Sequence, residues 1–253
     1  MSVRDMLRVL DADDRFFAAH IMDLCESAAS GKFGASTGFC DLHQAQLTKQ
    51  IAAASGITAE AVGGSEEAER VLFLLYDEPW MRPDPPLCAI EITAYGAITH
   101  RDILGAVLAL GIKREMVGDI WNAGSSFVLM AKSPAENIIL NNLDRVGREA
   151  VKCKQLDLAQ IPPPVRQFSC RSGTVKSLRL DSVVSLCAGV SREKGKELVE
   201  REKVMVDAVL RKDPSFPLAE EFTVSIRGVG KFRLKAGGVS GKGRYILEIK
   251  KYI

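Results

Sequence analysis

The spacing of apolar positions changes twice along the chain, and those changes divide it. Up to about residue 65, hydrophobic residues recur three or four apart, in Leu7–Leu10, Phe16–Ala28 and Leu42–Ala54. That spacing lines them up along one helical stripe. Glycines at 31, 34, 38, 63 and 64 punctuate the pattern, as breakers between helices do. A helical N-terminal unit over 1–65 is the expectation, with no evident chemistry in it.

From residue 66 to 160 the period shortens. Arg70–Glu78 and Leu87–Gly96 each hold a short apolar run of β character, separated by Glu78–Pro86, whose four prolines dictate a loop. Thr99–Ile112 returns to helical spacing, with Ile103, Leu104, Val107, Leu108 and Ile112 on one face. Thr99 followed by Asp102 reads as an N-cap with its carboxylate three residues on. Gly105 is suited to close helix–sheet packing and Gly111 to a helix end. Val117–Ser133 reads as two strands around the turn residues Asn122, Gly124 and Ser125; Pro134 opens a second helix; Glu149–Asp157 alternates as a last strand. The order β-β-α-β-β-α-β contains the split β-α-β of ferredoxin-like sheets, so 66–160 is expected to be a ferredoxin-like, RRM-like α+β domain. Pro162-Pro163-Pro164 then stiffens an extended linker over 161–168.

Beyond the linker, 169–253, two short helices and a strand follow closely. The first starts at Ser177 or within Leu178–Asp181 and ends near Gly189; the second is capped by Ser191 and runs to about Lys203. Leu180, Val183, Val184, Leu186, Val190, Leu198 and Val199 supply the apolar seam. Left over are cations: Arg179, Arg192, Lys194, Lys196, Arg201 and Lys203.

Charge sharpens this division. The 253 residues carry a net charge of only +2. Residues 166–253 nevertheless hold 19 Lys+Arg against 10 Asp+Glu, a net of +9, leaving −7 for the rest. A segment so basic is an electrostatic footprint for a polyanion. Arg192 and Lys196 are four apart and share a helix face. Arg192 also sits at a helix N-terminus, where its charge opposes the dipole and calls for a compensating anion. A bound phosphate would serve; a solvated helix, with Glu193, Glu197, Glu200 and Glu202 as intrahelical partners, is the alternative.

Composition excludes other classes. No apolar run approaches the roughly 18 residues of a membrane span. The first residues carry four aspartates and no apolar core, unlike a secretory signal or a transit peptide. A cytoplasmic protein is expected, or a plastid-stroma protein whose transit peptide has been removed. The six cysteines include no C-x-x-C pair and the three histidines are far apart, so no metal site is expected and the thiols read as reduced and mostly buried. His100-Arg101-Asp102 imitates a kinase catalytic loop, but Val107 stands where that loop needs Asn. Gly237, Gly238, Gly241 and Lys242 do not form a P-loop, and no G-x-G-x-x-G follows a strand. Neither the runs of a tRNA synthetase nor the catalytic domain of a pseudouridine synthase is present. No enzyme, no cofactor and no small-molecule substrate is expected.

Arg179-Leu180-Asp181, Gly189-Val190-Ser191-Arg192-x-Lys194-x-Lys196-Glu197-Leu198-Val199 and Val204-x-Val206-Asp207 resemble the RNA-binding domain named after small-subunit ribosomal protein S-four, the αL motif. His100–Ile120 and Gly237–Ile253 are similar to the YlmH-like group of bacterial and plastid proteins. There a helical unit and an RRM-like domain precede the ribosomal-type module, and the resemblance spans roughly residues 70–253. It implies Arg179, Asp181, Ser191, Arg192, Lys194 and Lys196 as signature positions. Arg201, Lys203, Arg227 and Lys231 complete the candidate RNA-binding set. Glu202 and Asp207-Ala208 stand where that domain usually has Gly and Asn-Gly, which suggests a hairpin that is wider or less tightly held against RNA. The resemblance implies non-catalytic binding of structured RNA, ribosomal or transfer, on the ribosome. Large subunits that hold stalled peptidyl-tRNA are one implied setting. A protein–protein adaptor in plastid photosystem biogenesis and an RNA-modifying enzyme are the alternatives.

In the middle domain, an RRM would read bases through strand aromatics, and only Phe73, Tyr76 and Phe127 are offered, so a scaffold or protein-contact role is favoured. His100, Arg101, Lys113 and Arg114 are its secondary candidate contacts; Lys113 and Arg114 serve equally to complement a helix C-terminus.

Overall fold

The computed structural model describes residues 12–31, 33–65, 68–163, 168–241 and 243–252. The protein is α+β. It divides into two compact units, 1–165 and 166–253, each described by itself below.

The first unit is layered. Helices α1 (Ala12–Ser30) and α2 (Leu42–Ala54) match the two predicted stripes, and α2 starts with a capping box between Asp41 and Gln44. The predicted stretch Leu7–Leu10 lies outside the described residues. The N-terminal region is not purely helical, however. Strands β1 (Ala35–Ser36), β2 (Thr58–Val62) and β3 (Leu72–Tyr76) form an antiparallel sheet in the order β1-β3-β2.

The border expected at residue 65 is therefore corrected. The apolar run 72–76 pairs with 35–36 and 58–62, not with the strands that follow it. The physical reason lies in burial: Phe73 and Leu75 pack against α1 and α2, while Leu72 and Leu74 pack on the opposite side. A strand buried on both faces shows no alternation, and its sequence does not say which sheet it joins.

The next strands, β4 (Leu87–Ala94), β5 (Val117–Asn122), β6 (Phe127–Lys132), β7 (Arg145–Val146) and β8 (Glu149–Leu156), form a second sheet in the order β5-β6-β4-β8-β7. Helices α3 (His100–Ala109) and α4 (Ser133–Asn142) cover one face through Ile90, Ile92, Ile103, Val107, Leu129 and Ile139. On the other face, Leu87, Ala89, Val128 and Met130 meet Leu72 and Leu74. The order is thus helices, small sheet, large sheet, helices. The Thr99–Asp102 box forms as expected, with the Thr99 N–H donating to the Asp102 carboxylate at 2.9 Å and the Asp102 N–H to Thr99 Oγ1 at 3.3 Å. Gly105 does not serve close packing; a Cβ there would meet nothing within 4 Å.

The linker expected over 161–168 includes 164–167, which lie outside the described residues, and Phe168 is already in a strand. In the second unit, β9 (Phe168–Val175), β10 (Val204–Val206), β11 (Val209–Leu210), β12 (Glu221–Ile226), β13 (Gly230–Val239) and β14 (Tyr245–Tyr252) make one antiparallel sheet in the order β11-β10-β12-β13-β14-β9. Helices α5 (Leu180–Ala188) and α6 (Arg192–Glu200) pack on a single face of it, around Val183, Val184, Val199, Phe222, Phe232 and Leu247.

The hairpin β10–β11 corrects a further expectation. Val206 pairs with Val209 across a two-residue turn, so it is tight. Asp207 and Ala208 have φ of 48° and 67°, and Glu202 has 58°. The backbone keeps the left-handed conformations that glycine normally supplies in such turns. Asp207 is held there by a two-way exchange: its N–H donates to Thr223 O at 2.9 Å, and its carboxylate accepts from the Thr223 N–H at 2.8 Å.

Candidate nucleic-acid interface

Helix α6 with its C-cap Arg201, and Arg179 at the N-cap of α5, supply five of the eight candidate cations of this unit, and a buried carboxylate joins Arg179 to Arg192. Ser191 caps α6 by accepting from the Lys194 N–H at 3.3 Å. Gly189, at φ 66°, closes α5 in the left-handed conformation. Gly195 is buried, and a Cβ there would come within 2.8 Å of Asp181 O and 3.0 Å of Ser185 N. Only glycine lets the first turn of α6 lie this close to α5.

That close approach brings Arg192 to Asp181. Asp181 is 4% exposed. Its Oδ2 accepts from Arg192 Nε at 2.9 Å and lies 2.9 Å from Nη2, and its Oδ1 accepts from Arg179 Nε at 3.3 Å and from the Ser182 N–H at 2.8 Å. Burial works to raise the Asp181 carboxyl, but the hydrogen bonds from Arg179 and Arg192 outweigh it and hold the group below its ordinary value of 3.8. The compensating anion that Arg192 requires at a helix N-terminus is therefore internal. Sequence reasoning counted Asp181 as a signature position but missed this role, because the carboxylate and Arg192 are eleven residues apart and only the helix crossing brings them together. The guanidinium heads still face outward, Arg179 with 43% and Arg192 with 59% of the side chain exposed.

The remaining cations do not all join this pair. At 3.6 residues per turn, Lys196 falls on the Arg192 flank of α6, paired to Glu200 at 3.5 Å. Lys194 falls on the far flank, where Arg201, seven residues on, shares its side and is paired to Glu197. Lys203 is exposed beyond the helix, and its carbonyl accepts from the Arg227 N–H at 2.9 Å, so those two residues adjoin. Lys231 lies on the sheet face away from the helices, its Nζ 5.1 Å from the Tyr252 ring centroid. These cations therefore occupy two flanks of one helix, an adjoining edge and the far side of the sheet rather than one common face.

In the first unit, His100 and Arg101 are exposed at the first turn of α3, and Lys113 is exposed after it. Arg114 is exposed as well, but its guanidinium is already engaged within the unit. Its guanidinium donates to Val117 O at 2.5 Å beside Arg70, whose Nε donates to the same carbonyl at 3.1 Å. Burial of that head, with Arg70 adding repulsion, pushes Arg114 down to about 10. It ties the β5 entry to its surroundings.

Among the described residues, no helix is long and apolar enough to cross a membrane, and no group of three His, Cys, Asp or Glu is placed to hold a metal. Cys25, Cys40, Cys88 and Cys187 are buried and free, Cys153 is partly buried, and Cys170 is exposed.

Both units are α+β, one with a two-helix basic flank on its sheet and the other with a five-stranded sheet in the order β5-β6-β4-β8-β7. Residues 87–160 match the family model described as "Putative RNA-binding domain in YlmH". The chain is 28% identical over 218 residues to the Ribosome-associated protein quality control protein P2 of Bacillus subtilis (strain 168), covering 83% of this chain and 84% of that protein. In fold it is similar to the cell division protein ylmH from Streptococcus pneumoniae, with a TM-score of 0.54 and 22% identity over 61% of this chain and 97% of that one. The YlmH-like resemblance drawn from the sequence therefore holds.

Proposed function

We propose that this protein binds structured RNA, ribosomal or transfer, without catalysing a reaction on it. It acts on the large ribosomal subunit in translation quality control, wherever bacterial-type ribosomes work, in a bacterial cytoplasm or a plastid stroma. The reading treats 166–253 as a ribosomal protein S-four type module. The match of 87–160 to an RNA-binding family model and the likeness to a ribosome-associated relative support it.

One observation carries the reading. Asp181 fixes two arginines, one at the N-cap of α5 and one in the first turn of α6, side by side with their heads exposed, and Lys196 stands one turn along from Arg192. Arginine held in this way presents donors in a set geometry to phosphate oxygens. Phosphate contacts of this kind position a protein on RNA, and shape supplies selectivity. Lys194 and Arg201 on the far flank, with Lys203 and Arg227 at the edge, widen the footprint; His100, Arg101 and Lys113 offer a secondary contact from the other unit.

Sedimentation with ribosomal particles across a salt series tests the proposal. Three contacts, from Arg179, Arg192 and Lys196, give a slope of log K on log salt of about −2 to −3. Arg192→Glu with Lys196→Glu should weaken co-sedimentation and flatten that slope. Unchanged binding after the double reversal would remove the site, and binding that survives RNase digestion would replace RNA with a protein partner.

A further inference from the structure

The second unit has another face that the reading above does not use. Alternation along β13 directs Phe232 and Leu234 into the core, so Lys231, Arg233 and Lys235 point to the opposite side of the sheet. The register sets Arg233 directly across from Lys250 of β14, and Lys250 across from Cys170 of β9. Tyr252 and Phe168 are paired at the sheet's other end, their rings 4.9 Å apart edge to face, with Lys231 over the Tyr252 ring. Two carboxylates share this surface: Glu221, bonded to Arg233 at 2.8 Å, and Glu248, across from Lys235. Among these described residues, four cations stand beside two anions.

We infer that this outward sheet face is a second RNA-contact surface, and that its occupant is an unpaired strand. Three features argue for that occupant. Like charges placed directly opposite each other in a sheet are unfavourable; Arg233 against Lys250 is such a pair, relieved in part by Glu221, and a phosphate would relieve it further. Alternate residues of β13 are about 7 Å apart, close to the phosphate repeat of an extended nucleic-acid strand. The aromatic pair lies beside these cations, the combination by which sheets bind single strands: bases stack while the backbone follows positive charge. A folded helix would instead present its phosphates across grooves, for which the flank of α6 is the better match. The two surfaces lie on opposite sides of one sheet and are separable.

The test measures full-length protein against two probes, an oligo-uridine of about 12 nucleotides and an RNA hairpin, by fluorescence anisotropy. Lys235→Glu with Lys250→Glu should lower oligo-uridine affinity at least ~10-fold and flatten its salt slope by about 1.4, the share of two single-strand contacts. Hairpin affinity should stay within about two-fold. Arg192→Glu with Lys196→Glu should give the reverse pattern. A 4-thiouridine oligonucleotide crosslinked to the unaltered protein should attach at Phe168 or Tyr252, a readout that needs no variant. The inference is overturned if the sheet variant keeps its oligo-uridine affinity or if crosslinks fall only on α5 and α6. It is also overturned if poly-glutamate binds this face more tightly than oligo-uridine and displaces it, which would assign the face to an acidic protein. Failure of the unaltered protein to bind the hairpin while it binds oligo-uridine would count against the proposed function and leave this face standing.

Discussion

The two larger sheets of the molecule invite comparison, since both are antiparallel, both carry two helices on one face, and they differ in what lies on the other. In the first unit that second face is apolar and closed: Leu87, Ala89, Val128 and Met130 meet Leu72 and Leu74 of a smaller sheet. In the second unit it is open and charged, with Arg233, Lys235 and Lys250 exposed. Closing a sheet on both sides uses it as scaffold. Leaving one face open, with outward positions free of the core, makes it available for contact. The outline of the five-stranded sheet alone therefore does not locate a contact surface, because part of its second face is occupied from within.

The comparison breaks most readily at the buried side. Leu74→Ala removes side-chain volume from between the two sheets and should cost about 3 kcal/mol, read as a lowered midpoint in urea denaturation. Lys235→Ala, at an outward position of the other sheet, should stay within about 0.5 kcal/mol. Equal losses would mean that the outward face is structural after all.

A second and smaller effect concerns the helices on the open sheet. Asp181→Asn keeps an acceptor for the Ser182 N–H but leaves Arg179 and Arg192 without their anion. Because both heads are partly solvated, the cost should be about 2 kcal/mol, with hairpin affinity reduced as the arginines lose their alignment. The pH dependence has a definite sign. The Asp181 carboxyl is held below its ordinary value of 3.8, so its contribution is complete above that value and is lost as pH falls through the lower folded-state value. Thermal melts of the natural protein should fall on acidification below about pH 4 more steeply than those of Asp181→Asn.

The smallest effect should be a gain. Ala208 holds φ 67°, where a Cβ is disfavoured, and Ala208→Gly should stabilise by about 0.5–1 kcal/mol. Denaturation of the variant beside the natural protein checks it, and a loss would mean that the Ala208 methyl contributes packing.

Local signals were the legible ones. The start of α3 followed from Thr99 and Asp102, three residues apart, whose reciprocal hydrogen bonds need nothing from the rest of the chain. Gly189 and Ser191 marked the ends of α5 and α6 in the same way. The run Leu72–Tyr76 was recognisable as a strand but not assignable to a sheet, because its partners, Ala35–Ser36 and Thr58–Val62, carry little β character of their own. The types of residue in the candidate interface were readable, and so in principle was their division: Lys194, two residues after Arg192, cannot share its side of a helix. The role of Asp181 was not readable, since it depends on how closely α6 approaches α5. The tight β10–β11 turn was misjudged for a different reason. Its usual glycines are replaced, while hydrogen bonds to Thr223 retain the backbone shape those glycines would have allowed.

The closed sheet also governs how this chain can be cut. A fragment starting after Tyr76 would retain every strand of the five-stranded sheet and both of its helices, and would look complete on a topology diagram. It would nonetheless carry Leu87, Ala89, Val128 and Met130 into water as a continuous oily surface, the kind that drives self-association. Strand β3 is thus the detachable-looking piece that keeps the middle of the molecule from sticking to itself, and any dissection of the protein has to leave residues 35–76 attached.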